Sequence, residues 1–220
     1  MFSRVIDLTL PVAPGMLTYP TKAHVPVAIT PTATIPADGR AACAILIGSH
    51  CGTHMDAPRH FLPDGPTLDA FPAERFAGEA VCYSFAPAAP EWELTEEAFC
   101  GLYEDTGRPK RVLLHFGWDR MWGGMDYYRR SPWLSDGLCE FLAASGVELL
   151  GMDIPSPDRP AVPGGPDSPH HKRLMAAGML LVEYLCNLGE VPALRPILFC
   201  ALPLRVMGTD ASPVRAVALY

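Results

Sequence analysis

Three of the chain's seven histidines fall in the segment Gly48–Phe61, GSHCGTHMDAPRHF, together with one carboxylate. The set is His50, His54, Asp56 and His60. Imidazole nitrogens and carboxylate oxygens are the usual ligands of zinc, manganese and related divalent ions. On a helix, His50 and His54 would share a face, as in H-E-x-x-H metalloproteases, but Asp56 would point elsewhere. Gly52 and Pro58 would also weaken that helix. On a strand, positions 50, 54 and 56 have one parity and face one side. The preceding ACAILIG reads as a strand, so the strand reading is preferred. A straight strand rises roughly 3.3 Å per residue and would set the backbones of His50 and His54 about 13 Å apart. One ion could barely be reached by both, so the strand must bend, and Gly52 is the residue expected to bend it. His60 lies just beyond Pro58 and is expected on a loop beside the same site. It is either a further ligand or a free imidazole, whose ordinary pKa of about 6.5 suits proton transfer at neutral pH.

A second cluster follows. Pro169, His170 and His171 open a helix, and Glu183 sits inside the apolar run MLLVEYL. A carboxylate buried there needs a cation, and a metal or an Arg or Lys would serve equally. Asp153, ending VELLGMD, and Asp7, within VIDLTL, are each open to a site role or a turn-capping role. The segment Phe116–Trp133, FGWDRMWGGMDYYRRSPW, holds three of the four tryptophans. It reads as a loop whose aromatics either line a pocket for a flat substrate or cover the core or a subunit interface.

The elements that must position these groups are short. Strands are expected at Val5–Leu10, Ala42–Ile47, Ala80–Phe85, Val112–Phe116, Val147–Met152, Met179–Leu185 and Ile197–Leu202. Helices are expected at Thr95–Tyr103 and Ser168–Ala177, opened by Thr95 and Ser168 as caps, and at Ser135–Ser145, with Gly146 as a stop. Strand and helix alternate in the second half, which predicts a single mixed α/β domain over residues 1–220. The 24 prolines are spread along the chain, which argues for many loops and no single linker. A net charge of −7 without a basic run excludes a nucleic-acid surface. Asp7 and Pro11 interrupt any N-terminal signal, and no apolar run approaches the roughly 20 residues of a membrane helix. A cytoplasmic protein is expected. Seven cysteines without a C-x-x-C pair are expected as free thiols in a reducing compartment.

The run His50-Cys51-Gly52-Thr53-His54-Met55-Asp56-Ala57-Pro58-Arg59-His60-Phe61 closely resembles the H-x-G-T-H-x-D-x-P-x-H-F signature of the cyclase family. That family includes bacterial kynurenine formamidases, enzymes of tryptophan catabolism, and isatin hydrolases. The resemblance extends along the chain: Asp7-Leu8-Thr9 is similar to the opening strand, and Asp64-Gly65 follows the signature. Gly151-Met152-Asp153-Ile154-Pro155-Ser156-Pro157-Asp158 is similar to G-x-D-x-x-S-x-D. Leu202-Pro203-Leu204 and Asp210-Ala211-Ser212-Pro213-Val214-Arg215-Ala216-Val217 resemble the family's ending. The resemblance implies an α/β domain of the swivelling β/β/α type with a central β-barrel-like sheet, in a homodimer or tetramer. It implies a first metal on His50, His54 and Asp56, and a second on Asp56, His171 and Glu183, with zinc or manganese as the ion and one or two per chain. The match in spacing is to His171, Gly178 and Glu183; His170 does not match. His60 is implied as the catalytic acid/base. Where the family often carries Tyr/Trp-Pro-Gly-Asp contacting substrate, this chain has Tyr19-Pro20-Thr21-Lys22. Tyr19, Trp118 and Trp122 are the expected substrate contacts.

The expected reaction is metal-assisted hydrolysis of an amide bond in a small aromatic substrate, N-formylkynurenine or another aryl formamide. An ion lowers the pKa of a bound water from about 15.7 toward about 7, and His60 delivers a proton to the leaving nitrogen. Ring opening of a cyclic amide or lactone such as isatin is the alternative. A non-catalytic metal or small-molecule binding protein is the alternative of another class, and the intact set of six polar residues argues against it.

Overall fold

The computed structural model describes residues 3–21, 24–160 and 167–220; Lys22 falls outside them. The strands are β1 (Val5–Asp7), β2 (Ala28–Ala33), β3 (Ala42–Leu46), β4 (His54–Asp56), β5 (Ala77–Ser84), β6 (Glu93–Leu94), β7 (Arg111–His115), β8 (Trp133–Leu134), β9 (Leu149–Met152), β10 (Leu180–Glu183), β11 (Pro196–Pro203) and β12 (Ala211–Leu219). The helices are α1 (Ile35–Asp38), α2 (Glu96–Asp105), α3 (Asp126–Arg129), α4 (Asp136–Ala144) and α5 (Pro169–Ala176).

One sheet of eight strands runs β1-β12-β11-β5-β7-β9-β10-β4, and β4 pairs back onto β12. The ring β12-β11-β5-β7-β9-β10-β4 is therefore closed, with β1 outside it on β12. This is the mixed α/β, barrel-like architecture expected from the resemblance. Strands β5, β7, β9 and β10 are parallel neighbours, and β4, β11 and β12 join them antiparallel.

The period of two along each strand divides two cores. Leu180, Val182, Met55, Phe199, Ala216 and Ala218 point into the ring and fill it. Leu181, Val112, Leu114 and Leu150 point outward, under Phe99, Tyr103, Leu138, Leu142 and Leu174 from the helices. His54, Asp56 and Glu183 share the outward parity. The site thus lies on the barrel's outer wall, beneath the helix layer.

The strand holding ACAIL is not the strand of the site. β3 pairs only with β2 in a separate hairpin, and every residue of β3 is exposed. A short apolar run reports a strand and not which strand it pairs with or what covers it. Among the described residues, no helix is long and apolar enough to cross a membrane. All seven cysteines are free thiols.

Candidate metal centre

β4 and β10 set the centre. Their antiparallel register places His54 opposite Glu183 and Asp56 opposite Leu181. Opposed residues share a face, so His54 and Glu183 stand side by side, with Asp56 one pleat along. His54 Nε2 is 3.2 Å from Asp56 Oδ1 and 3.6 Å from Glu183 Oε2.

His50 does not lie on that strand. After β3 the chain turns through residues 47–53, and Gly52 takes a left-handed φ of +61°. The bend assigned to Gly52 is real, but it is a full turn between two strands, so parity explains His54 and Asp56 and not His50. The turn folds the His50 ring over the centre, with Nδ1 2.9 Å from Asp56 Oδ1. It also aims the Gly52 carbonyl at His54 Nδ1, 2.8 Å away. Thr53 locks the turn: its hydroxyl accepts the Leu10 N–H at 2.9 Å and donates to the Tyr184 carbonyl at 2.6 Å.

His171 comes from the first turn of α5. Its Nε2 is 3.0 Å from Glu183 Oε1 and 3.8 Å from Asp56 Oδ2. The expected cap, Ser168, makes no cap hydrogen bond and is itself left-handed. Asp158 replaces it, accepting the N–H groups of His170 at 2.7 Å and His171 at 3.3 Å. His170 turns away, bonding the Pro157 carbonyl and Asp136, and ties α5 to α4. Among the described residues, no Arg or Lys pairs with Glu183, so its neighbours are the imidazoles of His54 and His171.

Asp56 supplies the test of whether a cation fits. It is 1% exposed, and among the described residues neither carboxylate oxygen has an aligned hydrogen-bond partner. Three imidazole nitrogens approach it, the nearest at 2.9 Å, yet none in hydrogen-bond alignment. A buried carboxylate left so costs several kcal/mol. Burial disfavours the charged form of His50, but Asp56 and Asp210 outweigh it and push its pKa up to about 10. His171 is likewise raised to about 10 against its burial, by Asp158 and Glu183. The carboxylates of the centre therefore draw positive charge toward it, and His, Asp and Glu together are a donor set for zinc or manganese. Two groups of ligand atoms are close enough to hold an ion, His50–Asp56–His60 and His54–Asp56–Glu183, and Asp56 belongs to both.

His60 closes a 3₁₀ turn, Pro58–His60, at the rim. Its ring stacks on that of His50, 3.9 Å between centroids, and Nδ1 is 3.4 Å from Asp210 Oδ2. Gly65 holds this turn from behind. A Cβ there would lie 2.6 Å from the Pro58 carbonyl carbon and 2.8 Å from Arg59 N. Gly65→Ala is expected to displace the turn and cost about 1–3 kcal/mol of stability, with activity reduced alongside. Urea denaturation checks this, and an unchanged midpoint contradicts it.

Residues 6–159, more than half of the chain, match the sequence profile described as Putative cyclase. The chain belongs to the cyclase family. Solved structures agree over nearly its whole length. It is 26% identical to isatin hydrolase A from Labrenzia aggregata bound to benzyl benzoate, with 98% of this chain and 93% of that one covered and a TM-score of 0.85. Against isatin hydrolase A from Ralstonia solanacearum the identity is 26%, the coverage 98% and 91%, and the TM-score 0.86. A potential metal-dependent hydrolase with cyclase activity matches at 24% identity, 98% and 97% coverage and a TM-score of 0.78, a likeness of fold.

On this cyclase-family scaffold the aromatic segment divides. Trp118, expected as a substrate contact, is a core residue, 1% exposed, with its indole N–H donated to the Tyr127 carbonyl at 2.9 Å. The tight turn after β7 buries it. Trp122 is partly buried against Tyr184, which stands between it and His54. Tyr19 packs edge-on to Tyr128, and its ring lies 5.9 Å from that of His24, which is 6.1 Å from His50; burial raises its phenol pKa. Asp153 neither joins the centre nor caps the turn that follows it. It accepts the N–H groups of Phe116 and Trp118 and so pins the aromatic segment, and burial pushes its pKa up to about 7.

Three residues near the centre were given no role from the sequence: Asp158 and Asp210, which lie in stretches that resemble the family's, and His24, whose ring is 6.1 Å from His50. Cys51, between two candidate ligands, turns its thiol to Met16.

Proposed function

We propose that this protein is a divalent-metal-dependent hydrolase that cleaves an amide C–N bond in a small aromatic substrate. The observation that carries the reading is Asp56, buried and, among the described residues, without an aligned hydrogen-bond partner at the meeting point of three imidazoles. His50, His54 and Asp56 would hold one ion, and Asp56, His171 and Glu183 a second. Such an ion, when bound, supplies Lewis acidity toward water and toward a carbonyl oxygen. His60, on the solvent side of the centre, takes up a proton at its ring and delivers it to the leaving nitrogen. Tyr19 and Phe61 offer flat apolar faces beside it, and Phe61 also packs on His171 with ring centroids 4.9 Å apart.

Two substrates are argued. An aryl formamide such as N-formylkynurenine follows from the signature. Ring opening of a cyclic amide is favoured by the likeness to two isatin hydrolases. Each reaction puts one acyl carbon at the centre and one nitrogen within reach of His60. A homodimer or tetramer belongs to this reading. The β2–β3 hairpin, with Ile29, Ile45 and Leu46 exposed, is the surface it would cover.

Metal analysis combined with turnover of isatin and N-formylkynurenine tests the reading. Stoichiometric zinc or manganese, with hydrolysis of one substrate that a chelator abolishes, is the expected result. Metal uptake without turnover of either would point to a binding protein on the same scaffold.

A further inference from the structure

Three imidazoles converge on Asp56, and each has its other nitrogen occupied. His54 Nδ1 meets the Gly52 carbonyl at 2.8 Å. His50 Nε2 meets Asp210 Oδ2 at 2.8 Å, and His171 Nδ1 meets Asp158 Oδ2 at 2.5 Å. Carbonyl and carboxylate oxygens only accept, so each outer nitrogen keeps a proton. The inner nitrogens, His54 Nε2, His50 Nδ1 and His171 Nε2, face Asp56 and Glu183, and theirs are the lone pairs an ion would take on displacing a proton.

We infer that Asp210 and Asp158 are positioning residues of the centre, which fix the ring orientation and tautomer of His50 and His171 and so prepare both for a divalent cation. The inference rests on the metal reading above. Neither carboxylate is needed as a ligand in that reading, and each is built in from a distant element. Asp158 is anchored by the first two N–H groups of α5 as well as by the imidazole. It therefore ties the orientation of His171 to the helix that carries it. Asp210 stands immediately before β12, the strand that closes the ring onto β4, and its backbone carbonyl accepts the Ala57 N–H at 2.9 Å. Its Oδ2 faces His50 Nε2 and His60 Nδ1 at once. One carboxylate thus sets a ligand and the proton carrier together. Glu183 and Asp56 hold no such outer position; they face the inner nitrogens. Outer partners of ligand histidines raise the basicity of the ring and hold its direction, and their loss typically weakens metal affinity about 10–100-fold.

The test is zinc affinity, measured by competition with a chromophoric chelator, for the full chain and for Asp210→Ala, Asp210→Asn, Asp158→Ala and Asp158→Asn. The alanine variants are expected to bind zinc about 10–100-fold more weakly, and the asparagine variants, which keep an acceptor, to recover part of the loss. Nitrogen NMR of the zinc-loaded wild type is expected to find the proton on His50 Nε2 and His171 Nδ1. Asp158→Ala also removes a helix cap, so Asp210→Ala, which removes none, decides the matter if the former fails to fold. Wild-type affinity in Asp210→Ala, or protons on the inner nitrogens, overturns the inference while leaving the metal reading intact. No zinc uptake by the wild type overturns both.

Discussion

Asp56→Asn is expected to abolish metal binding while the metal-free chain still folds. Asparagine keeps the volume of the side chain and removes its charge. In the metal-free chain that charge is buried, and the imidazoles of His50 and His54 offset the cost of burial and hold its carboxyl well below the usual carboxylate range. In the loaded chain the same carboxylate belongs to both groups of candidate ligands. Losing it should weaken binding by more than about 100-fold, the upper end for an outer partner alone. The readout is the melting temperature with and without zinc. Zinc at about 100 times its Kd stabilises a protein by about 2.7 kcal/mol, and the wild type should shift accordingly while the variant does not. A variant that no longer unfolds cooperatively without metal would assign Asp56 to the fold and not to an ion. A variant that still shifts with zinc would remove it from the ligand set.

Most of the fold's parts were legible, and its closure was not. The seven expected strands all exist, because runs such as RVLLH and LLVE are apolar enough to be buried on both faces. The three helices exist too, and the Ser135 hydroxyl caps α4 by accepting the Leu138 N–H. Thr95, expected to cap α2, makes no cap hydrogen bond. β12 was not expected as a strand. It carries Pro213, a residue that argues against a strand in sequence, and its inward residues include the small Ala216 and Ala218, which give weak periodicity. Yet β12 closes the barrel against β4, and β4 itself is three residues long. A closure between strands so far apart in sequence leaves no local pattern to read.

The candidate site divides the same way. His50, His54, Asp56 and His60 stood out because they are close in sequence, and Glu183 because a charge in an apolar run demands a partner. Asp158 and Asp210 lay in stretches that resemble the family's, but nothing local says which side chain each faces, and only α5 and β12 bring them to the imidazoles. Trp118 failed in the opposite sense. An aromatic in a glycine-bearing segment suits a pocket and a core equally, and here a buried hydrogen bond to Tyr127 chose the core.

His60→Ala is expected to lower kcat by about 10²–10⁴-fold while metal content stays at the wild-type value. The side chain is 27% exposed, against 13% for His50 and 2% for His54, so it faces the space a substrate would enter. Its Nδ1 looks to Asp210 and its ring is fixed by His50 and Phe61. A ring held in that way needs no motion to present its other nitrogen to a leaving group. The geometry also permits a different role, since His60 forms a ligand-distance group with His50 and Asp56. The two roles separate on one pair of measurements. An acid/base loses turnover with zinc retained, and added imidazole restores part of the rate by replacing the missing proton carrier. A ligand loses zinc in proportion to turnover, and imidazole then restores rate only where it restores zinc. Loss of zinc in His60→Ala would therefore move His60 into the ligand set and leave the proton transfer to another group. His24, the half-buried imidazole 6.1 Å from His50, would be the residue to substitute next.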